Sequence, residues 1–178
     1  MNIIRFQDTK VTKWSGGETH EFLILPLNAN FKSGEYDLRI SLATVNLETT
    51  IFTSLPEAHR ILTVLEGNLK LVHENQHTVY LRPLEQDRFE GEWITKSYGK
   101  VKDFNVIWKS GDATVDIKTL KKGTILKGNT YLSLLFVVDG TLNCKGIEAY
   151  SSDSIQLMEL DEIVVKNECK IIHVQYSK

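Results

Sequence analysis

Short apolar runs separated by turn residues dominate the sequence. No window of about 12 residues carries the i, i+3, i+4, i+7 stripe of an amphipathic helix. Many short strands with regular turns are typical of a β-sandwich or barrel. We therefore predict an all-β fold. The predicted strands cover 21–26, 36–47, 60–65, 69–72, 78–81, 102–108, 113–117, 131–138, 141–144, 155–157, 162–165 and 170–176.

A weak internal repeat runs through the chain. An apolar strand leads into the turn Glu66-Gly67, and a similar strand leads into Asp139-Gly140, 73 residues later. Each turn is followed by a second apolar strand, and this order predicts a β-hairpin. A later apolar-to-acid segment also recurs, at an offset of 74 residues. Cupin halves commonly carry this pattern, so we predict a bicupin with two cupin-like β-barrel or jelly-roll halves in one compact unit.

The predicted halves are residues 1–110 and 111–178, and we expect them to share strands. The second half lacks the charged features of the first. Any functional site is therefore expected in the N-terminal half.

Composition narrows the function classes. The chain has 178 residues, 42% hydrophobic and 25% charged, with a formal net charge of −2. This charge offers no basic field for nucleic acid. The longest apolar stretch, 134–138, is too short to span a bilayer, and the opening residues lack the apolar core of a signal peptide. We expect a cytoplasmic protein without membrane or nucleic-acid partners.

Alternation along the strand at 36–47 places Arg39 and Ser41 on one face, with Ala43 and Val45. The small neighbours leave room above the sheet. Two interpretations stay open for Arg39: a surface arginine on the barrel exterior, or a charge that points into a cavity.

Arg60 begins an apolar strand. A guanidinium there can bind a carboxylate through two parallel hydrogen bonds. The alternative is an internal ion pair with Glu57, Asp87 or Asp103.

Asp103 and Asn105 share one face of the strand at 102–108. Asn105 offers both a donor and an acceptor to a ligand. Since buried polar groups need partners, the two residues are equally candidates for fastening loops.

The chain has five histidines and no His-x-His pair, the first element of the metal site in metal-binding cupins. We therefore predict no metal and no cofactor. His73 and His77 flank a turn and are expected to be solvated. His59 is the histidine next to Arg60 and the one expected near the site.

Five stretches, spread in order over residues 14–105, resemble the HutD/Ves family of metal-free bicupins. They are Trp14-Ser-Gly-Gly-Glu-Thr19, Arg39-Ile-Ser41-Leu-Ala43-Thr-Val45, Phe52-Thr-Ser-Leu-Pro56-Glu-Ala-His59-Arg60-Ile-Leu62 with Leu65-Glu-Gly67, Phe89-Glu-Gly91 and Asp103-Phe-Asn105.

The resemblance implies binding of a small carboxylate-bearing metabolite, and a link to histidine utilisation or a stress response. It places Arg60, Arg39, Ser41, Asp103 and Asn105 at the characteristic polar positions of the family. The chain departs from the family at Glu57, where glycine is common, and at His59, where an acid is common. The second change alters the charge beside Arg60.

Three functions follow. The first is a binding module for an anionic metabolite, with apolar walls from Trp14, Phe52 and Phe89. The second is a metal-free isomerase or hydrolase, with His59 or Asp103 as general base. The third is a packed scaffold without a ligand. A homodimer is left open as the assembly.

Overall fold

The computed structural model describes residues 1–129 and 131–178. It contains nineteen strands among these residues, and the predicted all-β fold is confirmed. The first eleven are β1 (Asn2–Ile4), β2 (Lys10–Trp14), β3 (Gly17–Leu25), β4 (Leu38–Val45), β5 (Thr49–Ile51), β6 (His59–Glu66), β7 (Leu69–His73), β8 (Thr78–Leu81), β9 (Gln86–Glu90), β10 (Thr95–Tyr98) and β11 (Val101–Trp108). The other eight are β12 (Asp112–Leu120), β13 (Ile125–Lys127), β14 (Leu132–Asp139), β15 (Thr141–Cys144), β16 (Ile147–Tyr150), β17 (Ser154–Leu157), β18 (Glu162–Val164) and β19 (Cys169–Ser177).

The helical content of the described residues is two short 3-10 turns, Phe6–Asp8 and Phe31–Ser33. No helix in this part of the chain has the length and apolar character needed to cross a membrane.

The chain divides into two compact units. The first unit is Lys10–Ser110, and the second unit combines Met1–Thr9 with Gly111–Lys178. Residues 1–9 belong to the second unit because β1 pairs with β17. The division therefore differs at the N-terminus from the predicted halves 1–110 and 111–178.

In the first unit, a six-stranded sheet has the order β2-β3-β4-β11-β6-β9, and a four-stranded sheet has the order β5-β10-β7-β8. A hydrophobic cluster fills this unit, with Leu62, Val64, Leu71 and Phe89 among its buried members. Leu62 and Val64 share one face of β6, and Ile61 and Thr63 on its other face are buried as well.

In the second unit, a five-stranded sheet has the order β1-β17-β14-β19-β12, beside the two-stranded pairs β13-β18 and β15-β16. Its own cluster includes Leu135, Val137, Ile155 and Ile171.

The two units repeat one strand order. In the first it is β9-β6-β11-β4, and in the second it is β17-β14-β19-β12. Gly67 and Gly140 occupy the matching hairpin turns, and both have φ of 85°. A register shift also recurs, between Lys102 and Asp103 and between Val137 and Asp139. The sequence repeat thus corresponds to a repeated topology.

Several strands have no counterpart in the sequence prediction: β1, β2, β5, β9, β10, β13 and β16. They are short, and most of them are polar or exposed. Strand β2, for example, has the sequence KVTKW and no buried residue. Pairing with a neighbouring strand satisfies their backbone groups, and this pairing requires no apolar pattern in the strand itself.

We predict that Gly67→Ala destabilises the first unit by about 2–5 kcal/mol. The left-handed backbone costs an L-residue about 1–2 kcal/mol, and overpacking adds about 1–3 kcal/mol. The overlap arises because a Cβ at Gly67 would lie 2.5 Å from the carbonyl oxygen of Lys100. Urea unfolding measures the change.

Gly123→Ala is the matched control. Gly123 has a similar φ of 88°, but a Cβ there meets nothing within 4 Å. It should therefore show only the backbone cost. Equal losses at the two positions would contradict the steric explanation.

Candidate functional site

A cavity of about 640 Å³ opens in the first unit above strands β4, β6 and β11. Antiparallel pairing aligns these strands so that Ile107 of β11 lies opposite both Arg39 of β4 and Arg60 of β6. Because side chains alternate, residues at two-residue intervals along each strand share the cavity face.

Seven of the predicted site residues line this cavity: Trp14, Arg39, Ser41, Phe52, Arg60, Asp103 and Asn105. Alternation predicted that Arg39 shares a face with Ser41, and Asp103 with Asn105, and the pairing of β4, β11 and β6 brings these faces to one cavity. Whether they bind a ligand stays a prediction.

His59 and Phe89 are not among the lining residues. His59 neighbours Arg60 on β6 and so faces the other side of the sheet. Its ring packs against Trp108 with centroids 5.4 Å apart, and its Nδ1 lies 2.7 Å from Glu90 Oε2. The prediction that His59 belongs to the site is wrong in that its side chain does not line the cavity. Phe89 is a core residue that packs behind Phe52, with ring centroids 6.2 Å apart.

Arg39 lines the cavity with its charge already compensated. Its Nε donates to Glu21 Oε2 at 2.8 Å, and its guanidinium carbon lies 3.9 Å from the centroid of Phe31. Of the two open interpretations, the cavity-facing one describes Arg39. The Glu21 pair makes it a weak anchor for a further anion.

Arg60 is buried without an ion pair among the described residues. Its Nη2 donates to Asn105 Oδ1 at 3.3 Å, and its Nε has no hydrogen-bond partner in that part of the chain. The rings of Phe52 and Phe89 lie 4.7 and 5.0 Å from its guanidinium carbon. Burial lowers the pKa of Arg60 to about 10, against the opposing charge of Asp103. The side chain therefore stays charged at neutral pH.

The ion pairs considered for Arg60 from the sequence do not form. Asp87 instead lies 2.8 and 3.3 Å from the Nε2 atoms of His73 and His77, and Glu57 is exposed. Asp103 reaches Arg60 only through Asn105, whose amide nitrogen donates to Asp103 Oδ1. Asn105 thus bridges a buried cation and a buried carboxyl.

Asp103 is a buried carboxyl group whose surroundings raise its pKa. It is 4% exposed, and burial raises its pKa to about 7, although the hydrogen bond from Asn105 and the charge of Arg60 oppose the rise. Near neutral pH the cavity therefore holds a carboxyl group that is populated in both its charged and its neutral form.

Sequence reasoning missed Tyr36 as a site residue. Its side chain lines the cavity, and its buried hydroxyl has no hydrogen-bond partner among the described residues. Burial raises its pKa. Tyr36 stands at the predicted start of a strand, and no local signal marks it, because its position depends on packing against Phe31, with ring centroids 5.2 Å apart.

His73 is buried, contrary to the expectation that it is solvated. Its Nε2 lies 2.8 Å from Asp87 Oδ2, and its Nδ1 lies 2.8 Å from Thr95 Oγ1. Burial lowers the pKa of His73, while the hydrogen bond to Asp87 raises it. His77 approaches the other oxygen of Asp87 at 3.3 Å and stays partly exposed.

The second unit carries different chemistry at the matching positions. Ser133 takes the place of Arg60 in the repeated hairpin, and His173 takes the place of Asn105 in the paired strand. Ser133 Oγ lies 2.8 Å from His173 Nε2, and Lys118 Nζ lies 3.0 Å from Nδ1. Burial and the charge of Lys118 lower the pKa of His173 to about 4. A buried arginine at this position is therefore a feature of the first unit, because the second unit has Ser133 there.

The sequence model of the HutD family matches residues 6–177. The chain belongs to the HutD family. The resemblance of residues 14–105 to HutD/Ves motifs is thereby confirmed. A search of curated protein sequences gives no match.

Solved structures support a cupin-like fold. A conserved protein of unknown function from Pseudomonas aeruginosa PAO1 has a TM-score of 0.83 and 19% identity, covering 99% of this chain and 98% of its own. HutD from Pseudomonas fluorescens SBW25 has a TM-score of 0.77 and 21% identity, covering 99% of both chains. A cupin 2 conserved barrel domain protein from Leptotrichia buccalis has a TM-score of 0.67 and 14% identity, covering 99% and 96%.

We predict that Asp103 makes stability depend on pH. Its folded pKa of about 7 lies above the unfolded value of 3.8. The carboxyl therefore stabilises the fold fully below about pH 4, and this contribution is lost as the pH rises through about 7. At pH 8, Asp103→Asn should be more stable relative to wild type than it is at pH 4, by a few kcal/mol.

Urea unfolding of both proteins between pH 4 and pH 8 measures this difference. Asp116→Asn, on an exposed side chain, serves as the matched control. A constant gap between wild type and Asp103→Asn over this range would rule out a buried carboxyl with a raised pKa.

Proposed function

We propose that this HutD-family protein binds a small anionic metabolite through a carboxylate in the cavity of the first unit. The observation that carries the proposal is Arg60, a buried cation that has no ion pair and no hydrogen bond to its Nε among the described residues. An unpaired buried charge is costly, so a site that keeps one is suited to an anion that completes it.

The hydrogen-bonding groups around Arg60 support a planar acceptor. Guanidinium can donate two parallel hydrogen bonds to a carboxylate, and the Nε of Arg60 is available for such a bond. The hydroxyl of Tyr36, which has no hydrogen-bond partner in the described part of the chain, offers a further donor, or an acceptor for a polar group of the ligand.

The charge balance of the cavity also favours an anion. Its lining includes the basic residues Arg60, Lys32 and Lys109. It also includes Arg39, whose positive charge is compensated by Glu21. Asp103 is the acid in this lining, and its raised pKa allows it to be neutral when an anion is present. Phe52 and Trp14 provide apolar walls.

The pathway expected from the family resemblance, histidine utilisation or a stress response, stays part of this proposal. So does residence in the cytoplasm.

A second candidate is a metal-free enzyme in which Asp103 acts as general base. Its pKa of about 7 is well suited to proton transfer near neutral pH. His59, the other base considered from the sequence, lies outside the cavity lining, so the candidate depends on Asp103.

For the binding function, we expect Arg60→Lys to weaken carboxylate binding by roughly 1.5–3 kcal/mol. Lysine keeps the charge but loses the planar pair of donors. Arg60→Ala should weaken binding further. Calorimetry with a panel of small mono- and dicarboxylic acids measures the affinities.

Arg88→Lys is the matched control, because Arg88 is an exposed arginine of β9 that does not line the cavity. It should leave binding unchanged. An acid that binds wild type and Arg60→Ala equally well would show that Arg60 is structural, and the packed-scaffold alternative would then gain support.

For the enzymatic alternative, we expect any acid that binds to exchange its α-proton with solvent. Asp103 would remove the proton, so Asp103→Asn should abolish the exchange and leave binding intact. Proton NMR in D₂O follows the loss of the α-signal. Binding without exchange in wild type would leave the simple binding function.

A further inference from the structure

We propose that His73, His77 and Asp87 form a binding site for a divalent transition-metal cation such as Zn²⁺. Two imidazoles and one carboxylate are a donor set that Zn²⁺ uses with a water as fourth ligand. The three ligand atoms all lie within 4.8 Å of one another. The site does not depend on the carboxylate function proposed above. It departs from the sequence prediction of no metal, which rests on the absence of a His-x-His pair and does not consider these three residues together.

Local structure fixes the spacing of the two histidines. His73 ends β7, and His77 immediately precedes β8 in the same hairpin. The turn is closed by hydrogen bonds from the backbone N–H of His73 to His77 O at 2.9 Å and from that of Gln76 to His73 O at 3.0 Å. Asn75 takes the left-handed conformation within it, with φ of 60°. The two rings are thereby brought to a centroid separation of 4.6 Å.

Asp87 comes from a different strand and faces both rings. It lies on β9, and its two oxygens approach the two Nε2 atoms at 2.8 and 3.3 Å. Ligand atoms around tetrahedral Zn²⁺ are separated by about 3.3 Å, given bond lengths of about 2.0–2.1 Å. Small rotations of the side chains are therefore enough to admit the cation.

A hydrogen-bond relay favours a free lone pair on His73 Nε2. Thr95 Oγ1 lies 3.3 Å from Trp93 O, to which its hydroxyl can only donate. Its oxygen is then left to accept from His73 Nδ1, 2.8 Å away. With the proton on Nδ1, Nε2 and Asp87 Oδ2 lie 2.8 Å apart, so either a second ring proton or a metal cation must lie between them.

The same relay is the outer-shell contact that metal-binding histidines commonly make, since the ring N–H not used by the metal donates to a nearby oxygen. His73 has a fully buried side chain, whereas 42% of the His77 side chain is exposed. Solvent therefore reaches one side of the site, where a water ligand and the entering cation would pass.

The test is a titration of the full-length, chelator-treated protein with Zn²⁺ against a chromophoric competitor. Wild type should bind one Zn²⁺ per chain. His77→Gln and Asp87→Asn should each weaken binding at least about 100-fold, and Thr95→Val by about 10- to 100-fold, the range for outer-shell contacts. His77 is partly exposed, so its replacement should leave the fold intact, and circular dichroism checks this.

His59→Gln is the matched control, because it removes a histidine from an exposed histidine–carboxylate pair, His59 with Glu90, elsewhere in the same unit. It should leave Zn²⁺ affinity unchanged. Co²⁺ should also give the visible absorption of a four-coordinate site in wild type and lose it in His77→Gln. Absence of a saturable site in wild type, or equal affinity in wild type, His77→Gln and Asp87→Asn, would overturn the proposal.

Discussion

The chemistry of the first unit depends on the burial of one guanidinium. Arg60 loses most of its hydration, and the groups around it return only part of what is lost. Two aromatic rings face the charge, and one amide oxygen accepts from it, while Nε stays without a partner among the described residues. A cation in such surroundings interacts strongly with any anion that enters, because the low dielectric weakens screening.

The cavity holds two arginines that differ in their partners: Arg39 contacts an acid directly, and Arg60 contacts an amide. Glu21 neutralises Arg39 through a direct hydrogen bond, whereas Asn105 separates Arg60 from Asp103, the acid that lines the cavity with it among the described residues. Burial raises the pKa of that acid, Asp103, to about 7, so the carboxyl is only partly ionised at neutral pH. Arg60 is thus the available anchor, and Asp103 can adjust to the charge of the occupant.

The two units share a strand framework but carry different polar residues at matching positions. Both units use the same strand order, hairpin glycine and register shift, yet Arg60 and Asn105 correspond to Ser133 and His173. In the first unit, Phe89 contacts the guanidinium of Arg60 and also the ring of His73, at a centroid distance of 4.6 Å. Phe89 therefore lies between His73 and Arg60, although it does not itself line the cavity.

Strand alternation alone determined which residues share a face, and it brought Arg39 and Ser41 together, and Asp103 with Asn105. The repeat of acid-glycine turns likewise predicted the paired hairpins at Gly67 and Gly140. These are properties of neighbours in sequence, and the period of a strand fixes them. The same rule turns the side chain of His59 away from that of Arg60, because the two residues are adjacent on one strand.

Only the tertiary structure decided which arginine is neutralised and which histidines converge. The pairing of Arg39 with Glu21 depends on the register between β3 and β4, which includes an irregularity between Glu21 and Leu23. Asp87 meets His73 and His77 because separate strands bring distant positions together. Register and strand neighbours arise from packing the whole unit, so no local pattern of residues encodes them.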